Sequence, residues 1–302
     1  MTPDRFYPDR KDTSIRPSWS ANPGYLNEGH RRVFEETKGI PGWQAEADSY
    51  KLYEMAYFAG DVILELGVYG GRSAVVELKG ALSNPDRTRQ PQWFGLDLNA
   101  MAIQRSFDTL KAFGLADYAL LYLGAIDSFF AEYPIQPTMV FVDADHRYEG
   151  VKQDLDALSR VLPAGVPVFC HDYSNAENDT GEYGIRRAAT EWEESGYAEF
   201  RGTFGCGALF VTTQKCQGRL ARMSQDVFAQ RRDALLRGYG VLTRDPERGG
   251  EEYWRARAVT LDAELNLIRA SKSYKLSRSL ARAARVARRV AASAGRIGSR
   301  QK

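Results

Sequence analysis

Apolar positions along this chain alternate between two spacings from about residue 43 to residue 213. Short apolar runs, typical of buried strands, alternate with segments whose apolar residues recur every three or four positions, as in helices. The predicted strands are Val62–Leu66, Trp93–Leu98, Ala119–Leu123, Met139–Asp143, Val166–His171, Glu199–Thr203 and Gly207–Thr212. The predicted helices are Gln44–Ala59, Arg72–Leu82, Met101–Phe113, Ile126–Glu132, Gly150–Leu162 and Gly184–Ser195.

This alternation predicts an α/β fold, a Rossmann-like doubly wound sheet of seven mostly parallel strands with helices on both faces. The last two predicted strands meet at a glycine-rich turn and should form a hairpin at one edge. In open parallel sheets, ligands bind beyond the carboxyl ends of the strands, so candidate site residues are expected there.

By composition, the chain divides into four predicted segments. They are an extended arm or partly ordered cap at 1–42, the α/β domain at 43–215, a charged helical extension at 216–270 and a basic tail at 271–302. The extension is predicted to hold two roughly amphipathic helices, Gly218–Leu236 and Glu251–Ala270.

The net charge of +2 hides an uneven distribution, since residues 271–302 hold ten Lys or Arg and no acid. The remaining 31 basic and 39 acidic residues leave residues 1–270 with a net charge of −8. Leu276, Leu280 and Val290 follow helical steps, which indicates a basic amphipathic helix. We expect it either to contact an anionic inner membrane surface peripherally, or to stay solvated or pair in a homo-oligomer. An acidic body and a single tail aromatic, Tyr274, argue against nucleic acid.

The three cysteines, Cys170, Cys206 and Cys216, form no C-x-x-C pair, and the N-terminus lacks the apolar core of a signal peptide. No run of 18 apolar residues is present. We therefore expect a cytoplasmic protein with free thiols.

The segment Val62–Gly71, VILELGVYGG, is the most informative motif. An apolar strand ending in the acid Glu65 leads into a turn containing Gly67, Gly70 and Gly71, which lets the backbone approach a ligand closely. The spacing departs from the G-x-G-x-x-G of dinucleotide-binding proteins, and an acid at this strand end suits a cationic or hydroxyl-bearing ligand better than a phosphate.

This motif resembles the first motif of class I S-adenosylmethionine (SAM)-dependent methyltransferases. The resemblance implies a seven-stranded sheet whose last strand is antiparallel, with SAM bound over the glycine loop. The implied cofactor-binding residues are Glu65, Gly67, Tyr69, Gly71 and Ser73 in the first motif, Asp97 and Leu98 after the second strand, Asp127 after the third and Asp143 after the fourth.

Two of these acids have an alternative role. Asp97 would accept hydrogen bonds from both ribose hydroxyls, or else cap the following helix, a position that Asn99 fits better. Asp127 would lie along the adenine, or else cap the short helix that it precedes.

Ionisable side chains follow two further predicted strands. Asp143, Asp145 and His146 follow the fourth strand, and His171 and Asp172 follow the fifth. If the two strands are neighbours, they lie about 4.8 Å apart, and Asp143 and Asp172 then face one another across a gap that suits a divalent ion.

The run Asp143–Leu155, DADHRYEGVKQDL, resembles metal-dependent O-methyltransferases, the group of catechol O-methyltransferase. It is most similar to the subgroup that acts on macrolide and other antibiotic sugars and on cell-surface glycans, over roughly residues 43–213. The resemblance implies magnesium held by Asp143 and Asp172 with a third ligand beside Asp172. His171 stands there, where relatives often have an acid or asparagine, and histidine suits manganese or zinc better than magnesium.

His146 is the candidate general base, because an imidazole accepts a hydroxyl proton near neutral pH; the alternative is that it only orders its loop. The sequence thus predicts a SAM-dependent O-methyltransferase that modifies a hydroxyl of a small molecule, sugar or glycan with a divalent metal. Two alternatives are an NAD-dependent or nucleotide-sugar oxidoreductase and a non-catalytic binding scaffold. The Tyr148-x-x-x-Lys152 spacing of short-chain dehydrogenases is interpreted as chance.

Overall fold

The computed structural model describes residues 28–218 and 222–238. Its strands are β1 Val62–Leu66, β2 Gln92–Asp97, β3 Ala119–Leu123, β4 Met139–Val142, β5 Pro167–Cys170, β6 Ala198–Phe204 and β7 Gly207–Thr212. Its helices are α1 Glu28–Thr37, α2 Glu46–Ala59, α3 Arg72–Leu82, α4 Ala100–Ala112, α5 Ile126–Glu132, α6 Tyr148–Val161, α7 Glu177–Thr180, α8 Ile185–Glu194 and α9 Gln225–Gly238.

The seven strands form one sheet in the order β3-β2-β1-β4-β5-β7-β6. The first five are parallel, whereas β7 runs antiparallel to both β5 and β6, so that β6 and β7 form the edge hairpin. The predicted seven-stranded, mostly parallel α/β fold is confirmed. Because β1 lies between β2 and β4, the carboxyl ends of β1, β2, β4 and β5 meet along one edge.

The central strand β1 is buried on both faces, as expected for a parallel strand covered by helices on each side. Val62, Leu64 and Leu66 belong to the main apolar cluster, together with α6 and α8 side chains such as Leu158 and Trp192. The alternate residues point to the opposite face, because successive side chains of a strand alternate.

Most differences from the sequence prediction concern the ends of elements and short helices. Helix α1 lies inside the predicted arm, and the burial of Val33 explains why a short polar segment is helical there. Helix α7 was not predicted, and α9 begins at Gln225 instead of Gly218.

The predicted helix Glu251–Ala270 and the basic tail lie outside the described residues, as do residues 1–27. The described residues up to 235 belong to one compact unit and residues 236–238 to a second. Within the described part of the chain, every helix is too short or too polar to cross a bilayer.

A buried carboxyl pair joins α3 to the sheet. Glu65 of β1 and Glu77 of α3 are both completely buried. Ser73 donates its hydroxyl proton to Glu65, and Trp93 Nε1 donates to Glu77 Oε2 at 2.7 Å. The other two carboxylate oxygens, Glu65 Oε2 and Glu77 Oε1, have no donor. Burial and the neighbouring charge of Glu77 raise the pKa of Glu65. Two carboxylates buried side by side repel one another unless one is protonated, so we infer that the pair shares a proton.

We therefore expect the free energy of unfolding to fall as pH rises. Burial raises the pKa of both carboxyls, to about 8 for Glu77. A raised folded-state pKa gives stability that is complete below the unfolded pKa and is lost as pH rises toward 8. Glu77→Gln keeps an acceptor for Trp93 and gives Glu65 a permanent N–H donor. It should reduce the loss of stability between pH 5 and 8 by at least about 2 kcal/mol.

Urea unfolding at several pH values measures this difference. Glu132→Gln is a matched control, because Glu132 lies in the exposed last turn of α5. Parallel pH profiles for the wild type and Glu77→Gln would contradict a shared proton.

Candidate functional site

A cavity of about 1020 Å³ opens at the carboxyl edge of the sheet. It extends from the glycine loop after β1, past the ends of β2 and β3, to the acidic ends of β4 and β5. Of the predicted site residues, those that line it are Gly67, Tyr69, Ser73, Asp97, Leu98, Asp143, His146, His171 and Asp172. The cavity is large enough for a cofactor and part of an acceptor.

The glycine loop passes directly against the end of β4. Gly67 has φ +87°, and a Cβ built there would lie 2.2 Å from the carbonyl oxygen of Asp143. Tyr69, half exposed at the tip, also has a left-handed backbone, with φ +34°. Ser106 and Thr109 of α4 donate to the loop carbonyls of Val68 and Gly70 at 3.0 and 2.8 Å. The loop is therefore held from both sides in one conformation.

Asp97 connects the ends of β1 and β2. Its Oδ2 accepts from the Val68 amide at 3.1 Å and its Oδ1 from the Asn99 amide at 2.7 Å. Each oxygen keeps a second lone pair for a ligand hydroxyl. The cap of α4 is Asn99, which accepts from Met101 at 2.9 Å, so the alternative that Asp97 caps this helix is wrong.

Three predicted cofactor residues lie outside the cavity lining, namely Glu65, Gly71 and Asp127. Glu65 lies beneath the loop, and Gly71 packs on Ser106 with φ +77°. Asp127 forms an ion pair with Arg160 at 2.7 Å. Since Ala125 is the cap residue of α5, the alternative capping role of Asp127 is wrong. Direct cofactor contact by these three residues stays a prediction.

Two aspartates and two histidines converge at the other end of the cavity. His146 Nε2 lies 3.2 Å from Asp172 Oδ2 and 3.8 Å from Asp143 Oδ1. His171 Nδ1 lies 3.0 Å from Asp143 Oδ1 and 3.4 Å from Asp172 Oδ1. The sequence prediction that the ends of β4 and β5 bring these groups together agrees with their positions.

The second nitrogen of His171 faces a buried aspartate that the sequence did not indicate. Nε2 lies 3.4 Å from Asp48 Oδ2 and 3.1 Å from Cys206 Sγ. Asp48, of α2, is completely buried and also accepts from the Cys206 and Gly207 amides at 3.0 and 3.3 Å. Burial opposes a charge on His171, but Asp143, Asp172 and Asp48 outweigh it and raise the pKa of the imidazole.

Asp172 has a left-handed backbone, with φ +55°. Asn175 Nδ2 donates to Asp172 Oδ1 at 2.7 Å, and Asn178 Nδ2 donates to the Asp172 carbonyl at 2.8 Å. Such a conformation persists in a non-glycine residue only where surrounding contacts enforce it. These asparagines thus aim the carboxylate at the histidines.

The donor set fits a divalent ion. His171 Nδ1 lies 3.0 Å from Asp143 Oδ1 and 3.4 Å from Asp172 Oδ1. These separations are close to the roughly 3.0 Å between adjacent ligands of an octahedral ion with bonds of about 2.1 Å. His171 Nδ1 is buried, yet it makes no correctly aligned hydrogen bond. If Nε2–H donates to Asp48, the Nδ1 lone pair faces Asp143 and Asp172, the arrangement of a carboxylate–histidine–metal triad.

Sequence reasoning missed several residues at this site. Trp43, 91% exposed, lies at the cavity mouth, and Tyr183 packs on His146 with ring centroids 4.7 Å apart. Asp48 is at the third position of α2, where it accepts from the Ala45 amide at 2.8 Å. That position predicts a capping residue, and local pattern contains nothing that indicates its contact with the end of β5.

Comparison with known proteins relates part of this chain to methyltransferases. Residues 64–173 match the model of a family described as a methyltransferase domain. No curated protein sequence matches the chain.

Solved structures with a similar fold include an O-methyltransferase from Bacillus cereus in complex with SAH, at 15% identity, 65% coverage of this chain, 99% of that chain and a TM-score of 0.49. They also include the O-methyltransferase TomG from Streptomyces achromogenes in complex with SAM, at 15% identity, 62% and 91% coverage and a TM-score of 0.48. By the family model, residues 64–173 are similar to a methyltransferase domain, and they include the glycine loop and the acidic ends of β4 and β5.

Proposed function

We propose that this protein is a SAM-dependent O-methyltransferase that acts on a hydroxyl of a sugar or glycan with the help of a divalent ion. The observation that carries the proposal is the single cavity that joins the glycine loop and Asp97 to the cluster of Asp143, His146, His171 and Asp172. A methyl donor and a hydroxyl acceptor bound at its two ends would meet in the middle.

The cofactor half has the chemistry that SAM requires. Asp97 offers a free lone pair on each oxygen for vicinal hydroxyls. Leu98, Gly124, Ala125 and Ile126 also line the cavity, and the Gly124 amide donates to the Asp97 carbonyl at 2.9 Å. The match of residues 64–173 to a methyltransferase domain supports this assignment.

The acceptor half favours a polyhydroxylated molecule. Trp43 offers an exposed aromatic face at the mouth, suited to stacking on a sugar ring. Gln44, Asn175 and Glu177 add polar groups to the cavity lining. The likeness of Asp143–Leu155 to sugar O-methyltransferases points to the same class of acceptor.

SAM, when bound, would supply a methyl carbon on a sulfonium, whose C–S bond would break as the bond to the acceptor oxygen forms in line, so that SAH, a neutral thioether, would leave. The protein aligns the two reactants and removes the acceptor proton. His146 Nε2 is exposed enough to reach an acceptor hydroxyl, and Asp143 and Asp172 raise the pKa of its imidazole, so that they stabilise the protonated form.

The ion would be held by Asp143, Asp172 and His171, with Asp48 fixing the histidine. When bound, it would lower the pKa of the acceptor hydroxyl. Two carboxylates with an imidazole favour manganese over magnesium. Because three carboxylates raise the pKa of His171, they favour a proton on its imidazole. Binding of the ion would therefore release that proton.

The sheet supports this function over the oxidoreductase alternative. Dinucleotide-binding folds have the strand order 3-2-1-4-5-6. Here β7 inserts antiparallel between β5 and β6.

Asp97→Ala should weaken binding of SAH, the demethylated cofactor, by roughly 10-fold or more, because two charge-assisted hydrogen bonds are lost. Isothermal titration calorimetry measures this affinity. Asp108→Ala, an exposed aspartate on α4, is the matched control. If the wild type binds NAD and not SAH, the proposed function is wrong.

His146→Gln should lower the rate of methyl transfer by roughly 10²- to 10⁴-fold, because the general base is lost. SAH affinity should not change, since His146 lies at the acceptor end. Transfer of labelled methyl groups from SAM to a panel of monosaccharides and bacterial glycans measures the rate. An unchanged rate would reduce His146 to a loop-ordering role, and the absence of transfer by the wild type to any glycan would contradict the sugar assignment.

Manganese should bind the wild type more tightly than magnesium, and Asp172→Asn should weaken manganese binding by roughly 10-fold or more. Electron paramagnetic resonance of free Mn²⁺ measures the binding directly. Asp145→Asn is the matched control, because Asp145 also lines the cavity but is bonded to Arg147. Equal Mn²⁺ affinity of the wild type and Asp172→Asn would contradict the metal site.

A further inference from the structure

A buried guanidinium without a carboxylate partner lines the cavity beside the glycine loop. Arg72 is only 8% exposed. Among the described residues, no carboxylate lies within ion-pair distance of it, and its Nε has no hydrogen-bond partner. Its one hydrogen bond to the described part of the chain, from Nη1 to the Gly42 carbonyl, is 3.4 Å long. Buried cations in proteins are almost always paired.

The surroundings of Arg72 concentrate positive potential. It is the first residue of α3, an 11-residue helix whose amino end carries unsatisfied amides. On the other side, its guanidinium lies over the Phe34 ring at 5.7 Å from the centroid. Burial lowers the pKa of Arg72, and Asp48 opposes this only through space. An anion in the cavity would supply the missing partner.

We propose that Arg72 binds the α-carboxylate of the methionine part of SAM. This inference rests on the proposed function. The carboxylate is the one anionic group of that cofactor, and the loop that begins at Gly67 leads directly to Arg72 and Ser73, which both line the cavity. A planar guanidinium matches a carboxylate with two parallel hydrogen bonds, which Arg72 has the free donors to make.

The competing explanation is that Arg72 only holds the segment around Gly42 over the loop. A Cβ on Gly42 would lie 3.7 Å from the Arg72 Cβ, so the two residues do pack together. If Arg72 had only this structural role, replacing it would weaken the binding of every cofactor analogue alike. If Arg72 recognises the carboxylate, replacing it would weaken only the binding of analogues that have this group.

The experiment compares SAH with decarboxylated SAH, which keeps the amine, thioether and adenosine, by calorimetry on the full-length protein. Arg72→Met should weaken SAH binding by roughly 10- to 100-fold and change the affinity for the decarboxylated analogue by less than about twofold, because only the former has the group that Arg72 contacts. Arg72→Lys should fall between the wild type and Arg72→Met for SAH.

Arg105→Met, an exposed arginine on α4, is the matched control, and thermal melting shows whether each variant is folded. Equal losses for SAH and its decarboxylated analogue, in Arg72→Met or in Arg72→Lys, would overturn the role of Arg72 while leaving the proposed function intact. Failure of the wild type to bind either analogue would instead overturn the proposed function, and this inference with it.

Discussion

The arrangement of the site depends on the close approach of the Gly67 backbone to the backbone of Asp143. A single added carbon at Gly67 would approach the Asp143 carbonyl to 2.2 Å. The glycine loop after β1 and the acidic end of β4 are therefore adjacent because one of them lacks a side chain. That adjacency brings the ligand-wrapping loop and the acid–imidazole cluster into one cavity instead of two.

The cluster itself depends on contacts from outside the parallel sheet. Asp48 in α2 faces His171 and accepts from the amides at the β6–β7 turn. His171 is thus held between three carboxylates that come from α2, β4 and β5. Removing any one of them would take away part of the negative charge that raises the pKa of the imidazole.

The order and type of the central elements could be predicted from sequence because each strand is a short apolar run buried on both faces. The same reasoning located Asp143 and Asp172, since parallel strands place their carboxyl ends at one edge. It did not locate Asp48 or Arg72. Asp48 has the local pattern of a helix start, and Arg72 that of a charged first turn, so their roles follow only from packing. Helix α1 was missed for a similar reason, because tertiary burial of Val33 stabilises it.

The bond between Asp48 and Cys206 joins residues 158 positions apart in sequence. Contacts of such long range form late, since chain entropy must be lost before they contribute. During synthesis on the ribosome, the parallel strands emerge first and the edge hairpin last of the sheet. His171 acquires its full set of neighbours only when that hairpin closes, so a nascent chain stopped before residue 206 would lack a competent centre.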